Sequence, residues 1–147
     1  MTKKIKTLSL ALLTAVSMAS SGMAQSSDVD NNFTLELNKA ENTENSCRLT
    51  YVATNKTGTD LKNTSYEVAI FDAKGAVDQL LVLEFGGLTN NQTRVVQFDI
   101  DNQDCENISK ILVNNQGVCA TSEGPSDVCT NNLATKTLAG VSMSFVD

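Results

Sequence analysis

The sequence predicts an all-β domain, a disulfide-stabilised sandwich of about seven antiparallel strands. Three observations predict it. Apolar and polar residues alternate with a period of two in several separate stretches, most clearly in SCRLTYVATN (46–55) and SYEVAIFD (65–72). Turn-forming clusters separate these stretches at roughly the 8–12-residue spacing of a sandwich, with one longer gap near the C-terminus. No long segment has helical periodicity, and there is no internal repeat.

The chain begins with Lys3, Lys4 and Lys6, an apolar run from Leu8 to Val16, and Gly22-Met23-Ala24, which has the small-x-small form that signal peptidases cut. Residues 1–24 therefore read as a cleaved signal peptide. The apolar run is shorter than the roughly 20 residues that cross a bilayer, and polar SSDVDNN follows at once. No lipobox Cys stands near the cut, so no membrane insertion is expected after cleavage.

Residues 25–32 read as a flexible polar lead, and residues 33–147 as a single domain. Phe33, Leu35 and Leu37 alternate with Thr34, Glu36 and Asn38 in a first strand, followed by a loop from Lys39 to Asn45. In the second strand Cys47, Leu49, Tyr51 and Ala53 share one face. Lys56 to Lys62 turns the chain into a third strand, where Tyr66, Val68 and Ile70 point inward and Phe71 outward beside Ala69. Asp72-Ala73-Lys74-Gly75 closes it in a hairpin-like turn whose glycine can take a positive φ.

Gln79 to Phe85 places Leu81, Leu83 and Phe85 on one face, yet Leu80 and Val82 leave the other face apolar too. This fourth strand is therefore expected to be covered on both sides. Gly86-Gly87 ends it, and Leu88 with Thr89 to Gln92 forms the next turn. Val96, Phe98 and Ile100 mark a fifth strand. Ile108, Ile111 and Val113 mark a sixth, which Asn114-Asn115-Gln116-Gly117 is expected to break. Ala120 to Lys136 is polar and holds the only proline, Pro125; Ser126 can cap one short helical turn through Asn131. Val141, Met143 and Phe145 give a last strand.

Without Lys3, Lys4 and Lys6, 8 of the 11 basic residues face all 17 acidic ones, a formal charge of −9. That excludes a nucleic-acid binder and disfavours anionic membrane surfaces. Cleavage would leave 123 of the 147 residues, enough for one core and small enough to gain from cross-links.

The run YVATNKTGTDLKNTSYEVAIFDAKGAV, followed by GGLTNNQTRVVQFDI, resembles the small bacterial Ig-like domains known as FxLYD domains. The features that carry the resemblance are Asn55-Lys56-Thr57, Phe71-Asp72 to Gly75, Leu88 and Phe98, over about Cys47 to Val113. The chain departs from the family in its four cysteines and its longer tail, and it also looks like exported proteins of alphaproteobacterial type. The resemblance implies a two-sheet Ig-like fold of accessory or binding type, with no family-wide catalytic residue to carry across.

Cys47, Cys105, Cys119 and Cys129 form an even set in an exported chain and read as two disulfides. Four cysteines allow three pairings. In the Ig-like order the fifth strand lies antiparallel beside the second, which brings Cys105 near Cys47 and leaves Cys119 for Cys129. Sequence alone keeps the other two pairings open. A redox or zinc site is disfavoured, because there is no Cys-x-x-Cys, no histidine, and the spacings of 58, 14 and 10 match no zinc ribbon.

Asp99, Asp101, Asp104 and Glu106 cluster before the sixth strand and offer hard oxygen ligands for calcium, without the loop glycine or terminal Glu of an EF-hand. Without histidine no Ser-His or Cys-His nucleophile can be assembled, which disfavours a hydrolase. Asn32, Asn55, Asn63, Asn91 and Asn107 each stand in Asn-x-Ser/Thr, which here reads as turn chemistry. The expectation is a non-enzymatic periplasmic or secreted Ig-like module that binds a protein partner or serves the envelope, without cofactor. The alternative is a small-ligand or calcium carrier using residues 99–106.

Overall fold

The structure is a computed structural model that describes residues 31–131 and 133–146. The expected signal peptide, and the expected lead up to residue 30, lie outside the described residues. The strands are β1 (Phe33–Asn42), β2 (Ser46–Asn55), β3 (Asn63–Asp72), β4 (Val77–Glu84), β5 (Thr93–Asp101), β6 (Ile108–Thr121), β7 (Gly124–Pro125), β8 (Leu133–Thr137) and β9 (Ser142–Phe145), with one 3-10 turn at Cys105–Asn107. One sheet has the order β5-β2-β1-β8; the other runs β4-β3-β6, with β7 and β9 both on β6. The protein is thus an all-β sandwich. Its inner-face pairings, β2 with β5 and β3 with β6, follow the strand order of immunoglobulin sandwiches.

Alternation explains these strands directly. Phe33, Leu35 and Leu37 of β1, Cys47, Leu49, Tyr51 and Ala53 of β2, and Tyr66, Val68 and Ile70 of β3 are all buried in one core cluster. Five rings join the two sheets across it. Phe33, Tyr51 and Phe98 come from the first sheet, Tyr66 from β3 and Phe85 from just beyond β4, with centroids 5.3 to 6.0 Å apart. Each such pair adds about 0.5–1.5 kcal/mol beyond the area it buries. These rings supply the interior of a domain without tryptophan.

The structure contains both disulfides in the pairing that the Ig-like order selects, Cys47 with Cys105 and Cys119 with Cys129. They close opposite ends of the sandwich, because Cys47 opens β2 while Cys119 pairs with Thr64 at the start of β3. By loop-closure entropy the bridge of sequence separation 58 contributes about 4 kcal/mol and that of separation 10 about 3 kcal/mol.

Four expectations need correction in detail. The described residues form nine strands rather than about seven, and two pairings, β1 with β8 and β6 with β9, are parallel. β1 continues into the expected loop because a bulge after Leu37 leaves Asn38 unpaired and returns Ala40, opposite Leu49, to the core face. β6 is not broken by Asn114 to Gly117. It bulges there, and Val118 N donates to Ser65 Oγ at 2.7 Å in place of a ladder bond. A Cβ on Gly117 would lie 2.5 Å from that same oxygen, so the glycine permits close strand approach rather than ending the strand.

The fourth correction concerns β4, whose outer face is uncovered among the described residues. Leu80 is 71% exposed, Val82 56% and Val77 54%. A two-layer sandwich has no third layer for that face.

Candidate functional site

The turns that carried the family resemblance prove to be scaffold. Asn55 is fully buried; its Nδ2 donates to Thr59 O (2.8 Å) and Leu88 O (3.0 Å), while its Oδ1 accepts from Thr57 N (3.0 Å) and Thr57 Oγ1 (2.8 Å). One amide therefore ties the β2–β3 loop to the turn before β5. Asp72 organises the β3–β4 turn in the same way: its Oδ1 accepts from Lys74 N and Ala76 N, and Gly75 sits at φ 81°. Leu88 is buried, and Phe98 belongs to the ring cluster.

The acidic residues 99–106 are not gathered into one site. Arg48 Nε and Nη2 grip Asp99 at 2.7 and 2.8 Å, and this guanidinium holds the Asp99 carboxyl below the usual carboxylate range. Asn42 Nδ2 donates to both Glu106 oxygens at 3.0 and 2.8 Å, while Asn42 Oδ1 accepts from Cys105 N at 2.7 Å. Those bonds also lower the Glu106 pKa. Asp104 makes no side-chain cap to the 3-10 turn that follows it. Among the described residues no three His, Cys, Asp or Glu side chains come together as a metal cage.

All four cysteines are in disulfides, so no thiol is available for redox chemistry or zinc. The buried tyrosines are core residues. Tyr66 OH donates to Cys129 O at 2.7 Å, anchoring the C-terminal segment, and burial pushes both phenols above their ordinary range. Of the Asn-x-Ser/Thr asparagines, Asn55 is buried, Asn32 and Asn63 are half-buried, and Asn91 and Asn107 are exposed.

The surface that stands apart is the outer face of the β4-β3-β6 sheet. The registers set it out in rows across the three strands. Val82 lies beside Glu67, which lies beside Asn115; Leu80 beside Ala69 beside Leu112; Val77 beside Phe71 beside Lys110. Leu80 and Leu112 flank Ala69 closely enough to leave it only 4% exposed, although it faces outward. Lys110 Nζ sits 4.2 Å over the Phe71 ring, a cation–π contact that covers the outward aromatic. A groove of about 310 Å³ is lined by Glu67, Val68, Leu80, Leu81, Val82 and Asn114.

β4 pairs only with β3, so its far edge has no strand beside it among the described residues. An edge strand bearing exposed Leu and Val is the arrangement to which other chains add. The sequence held the signal for it: β4 is apolar on both faces in a fold that can cover only one. No family model, no curated protein and no solved structure matches the chain.

Proposed function

We propose that this protein is a non-enzymatic exported module, periplasmic or secreted, that binds a protein partner along the β4 edge and the adjoining outer sheet face. The observation that carries this reading is the exposure of Val77, Leu80 and Val82 on a strand with one edge unpaired among the described residues. Fully burying a Leu or Val side chain is worth roughly 1.5–3 kcal/mol, so two or three such residues supply the apolar centre of a contact. Two disulfides in a small domain support an oxidising compartment, in keeping with the leader-like first residues. The likeness to FxLYD domains belongs to this proposal and adds an accessory role to it.

Site-specific photo-cross-linking in the native compartment tests the reading. A photoreactive residue at position 80 is expected to trap one discrete adduct, whereas the same residue at Gln97, on the other sheet, traps none. Adducts of equal yield from both positions, or from neither, would overturn it.

A further inference from the structure

The charges along β4 indicate which kind of chain the edge suits, an inference that rests on reading β4 as a contact edge. The only charged residues of β4 are acids. Asp78 is exposed at the bulge opposite Phe71, and Glu84 is exposed at the other end, with Leu80 and Val82 between them. Six residues of extended chain separate the two carboxylates by about 20 Å. Glu67, also exposed, lies across from Val82. Of the nearby cations, Lys110 lies over Phe71 and Arg94 Nη1 donates to Phe85 O at 3.1 Å, while Lys74 stands exposed in the β3–β4 turn, outside the strand itself. The edge therefore presents an apolar pair bracketed by negative charge.

A second copy fits this pattern poorly. Antiparallel pairing of two β4 strands with Leu80 against Val82 of the copy sets Asp78 opposite Glu84 at both ends. Shifting the register so that Leu80 meets Leu80 instead places each Asp78 against Val82. The chain's formal charge of −6 adds repulsion between copies. The complement is the reverse polarity.

We propose that β4 accepts, as an added strand, an extended partner segment in which two apolar residues at alternate positions are flanked by Lys or Arg. The apolar pair would lie against Leu80 and Val82, and the cations beside Asp78 and Glu84. Main-chain bonds to the far edge of β4 would supply affinity, and the alternating side chains selectivity.

The test uses the disulfide-intact protein and two capped peptides followed by amide NMR. One is Lys-Thr-Leu-Thr-Val-Thr-Lys; the other carries Glu in place of both Lys. The basic peptide is expected to shift amides of residues 77–84 and to bind about tenfold more tightly at low ionic strength, a preference that salt erases. The exposed double variant Asp78→Lys/Glu84→Lys should invert the preference, with the remaining amide spectrum reporting an intact fold. Equal binding of both peptides at β4 would overturn the charge complementarity while leaving β4 as a contact edge. Shifts elsewhere, or none with either peptide, would overturn strand addition, and cross-linking from position 80 would then decide the contact edge separately. Concentration-dependent self-association that protects residues 77–84 would assign the edge to a second copy and overturn the proposal.

Discussion

Replacing Asn55 by Ala probes the scaffold where its accounting is clearest. The substitution removes four hydrogen bonds, two donated to Thr59 O and Leu88 O and two accepted from the Thr57 amide and hydroxyl. Leu88 O keeps a bond from Leu61 N (2.9 Å), and Thr59 O keeps a long one from Thr57 Oγ1 (3.3 Å). The Thr57 amide, however, loses its partner in a buried turn. At about 0.5–1.5 kcal/mol per bond, with a further penalty for the orphaned donor, the loss comes to at least about 3 kcal/mol. That is a large share of the roughly 5–15 kcal/mol of a typical domain. Thr57→Val, which keeps the amide bond to Asn55 and loses only the hydroxyl, should cost about 1 kcal/mol. Equilibrium urea unfolding of oxidised protein measures both. A lowered midpoint with unchanged slope is expected, in the order Asn55→Ala below Thr57→Val below wild type. An Asn55→Ala variant within about 1 kcal/mol of wild type would refute the idea that this amide holds the two turns together.

Three further outcomes follow from the same geometry. Replacing Cys47 and Cys105 together by Ala should destabilise the domain more than replacing Cys119 and Cys129 together, about 4 against about 3 kcal/mol by loop closure, and urea unfolding would show the order. Asp99 and Glu106 have folded pKa values lowered by Arg48 and Asn42 respectively, so their contribution is present above the ordinary carboxylate pKa and is lost as pH falls through the folded value. Asp99→Asn and Glu106→Gln should therefore flatten the acid limb of a stability-against-pH curve and leave its alkaline limb unchanged. Leu80→Asp, on an uncovered face, should leave the unfolding midpoint within about 0.5 kcal/mol of wild type while abolishing the adduct trapped from position 82.

The sequence was most legible where one face of a strand is buried and the other wet. Period-two alternation located β2 at its observed ends and β3 to within two residues, and the even cysteine set, combined with strand order, led to the observed bridges. It was least legible where tertiary contacts override local chemistry. LATKT reads as polar coil, yet β8 forms because its backbone pairs in parallel with β1, Leu35 beside Thr135. Gly117 reads as a breaker, yet it admits Ser65 into the ladder. The acids of residues 99–106 are close in sequence, but Asn102 at φ 55° turns the chain between them, and Arg48 and Asn42 on neighbouring strands claim one each. The two-sided apolar pattern of β4 was visible from the start. Its meaning became clear only once the fold showed that nothing among the described residues covers Leu80 and Val82.

Backbone amide exchange, compared between purified protein and protein held in an extract of its native compartment, tests the central claim most directly. If β4 is the contact edge, residues 77–84 should gain protection in the extract while residues 93–101 of β5, an outer strand of the other sheet among the described residues, stay unchanged. Protection that falls on β5, or a β4 that exchanges at the same rate in both settings, would contradict the account.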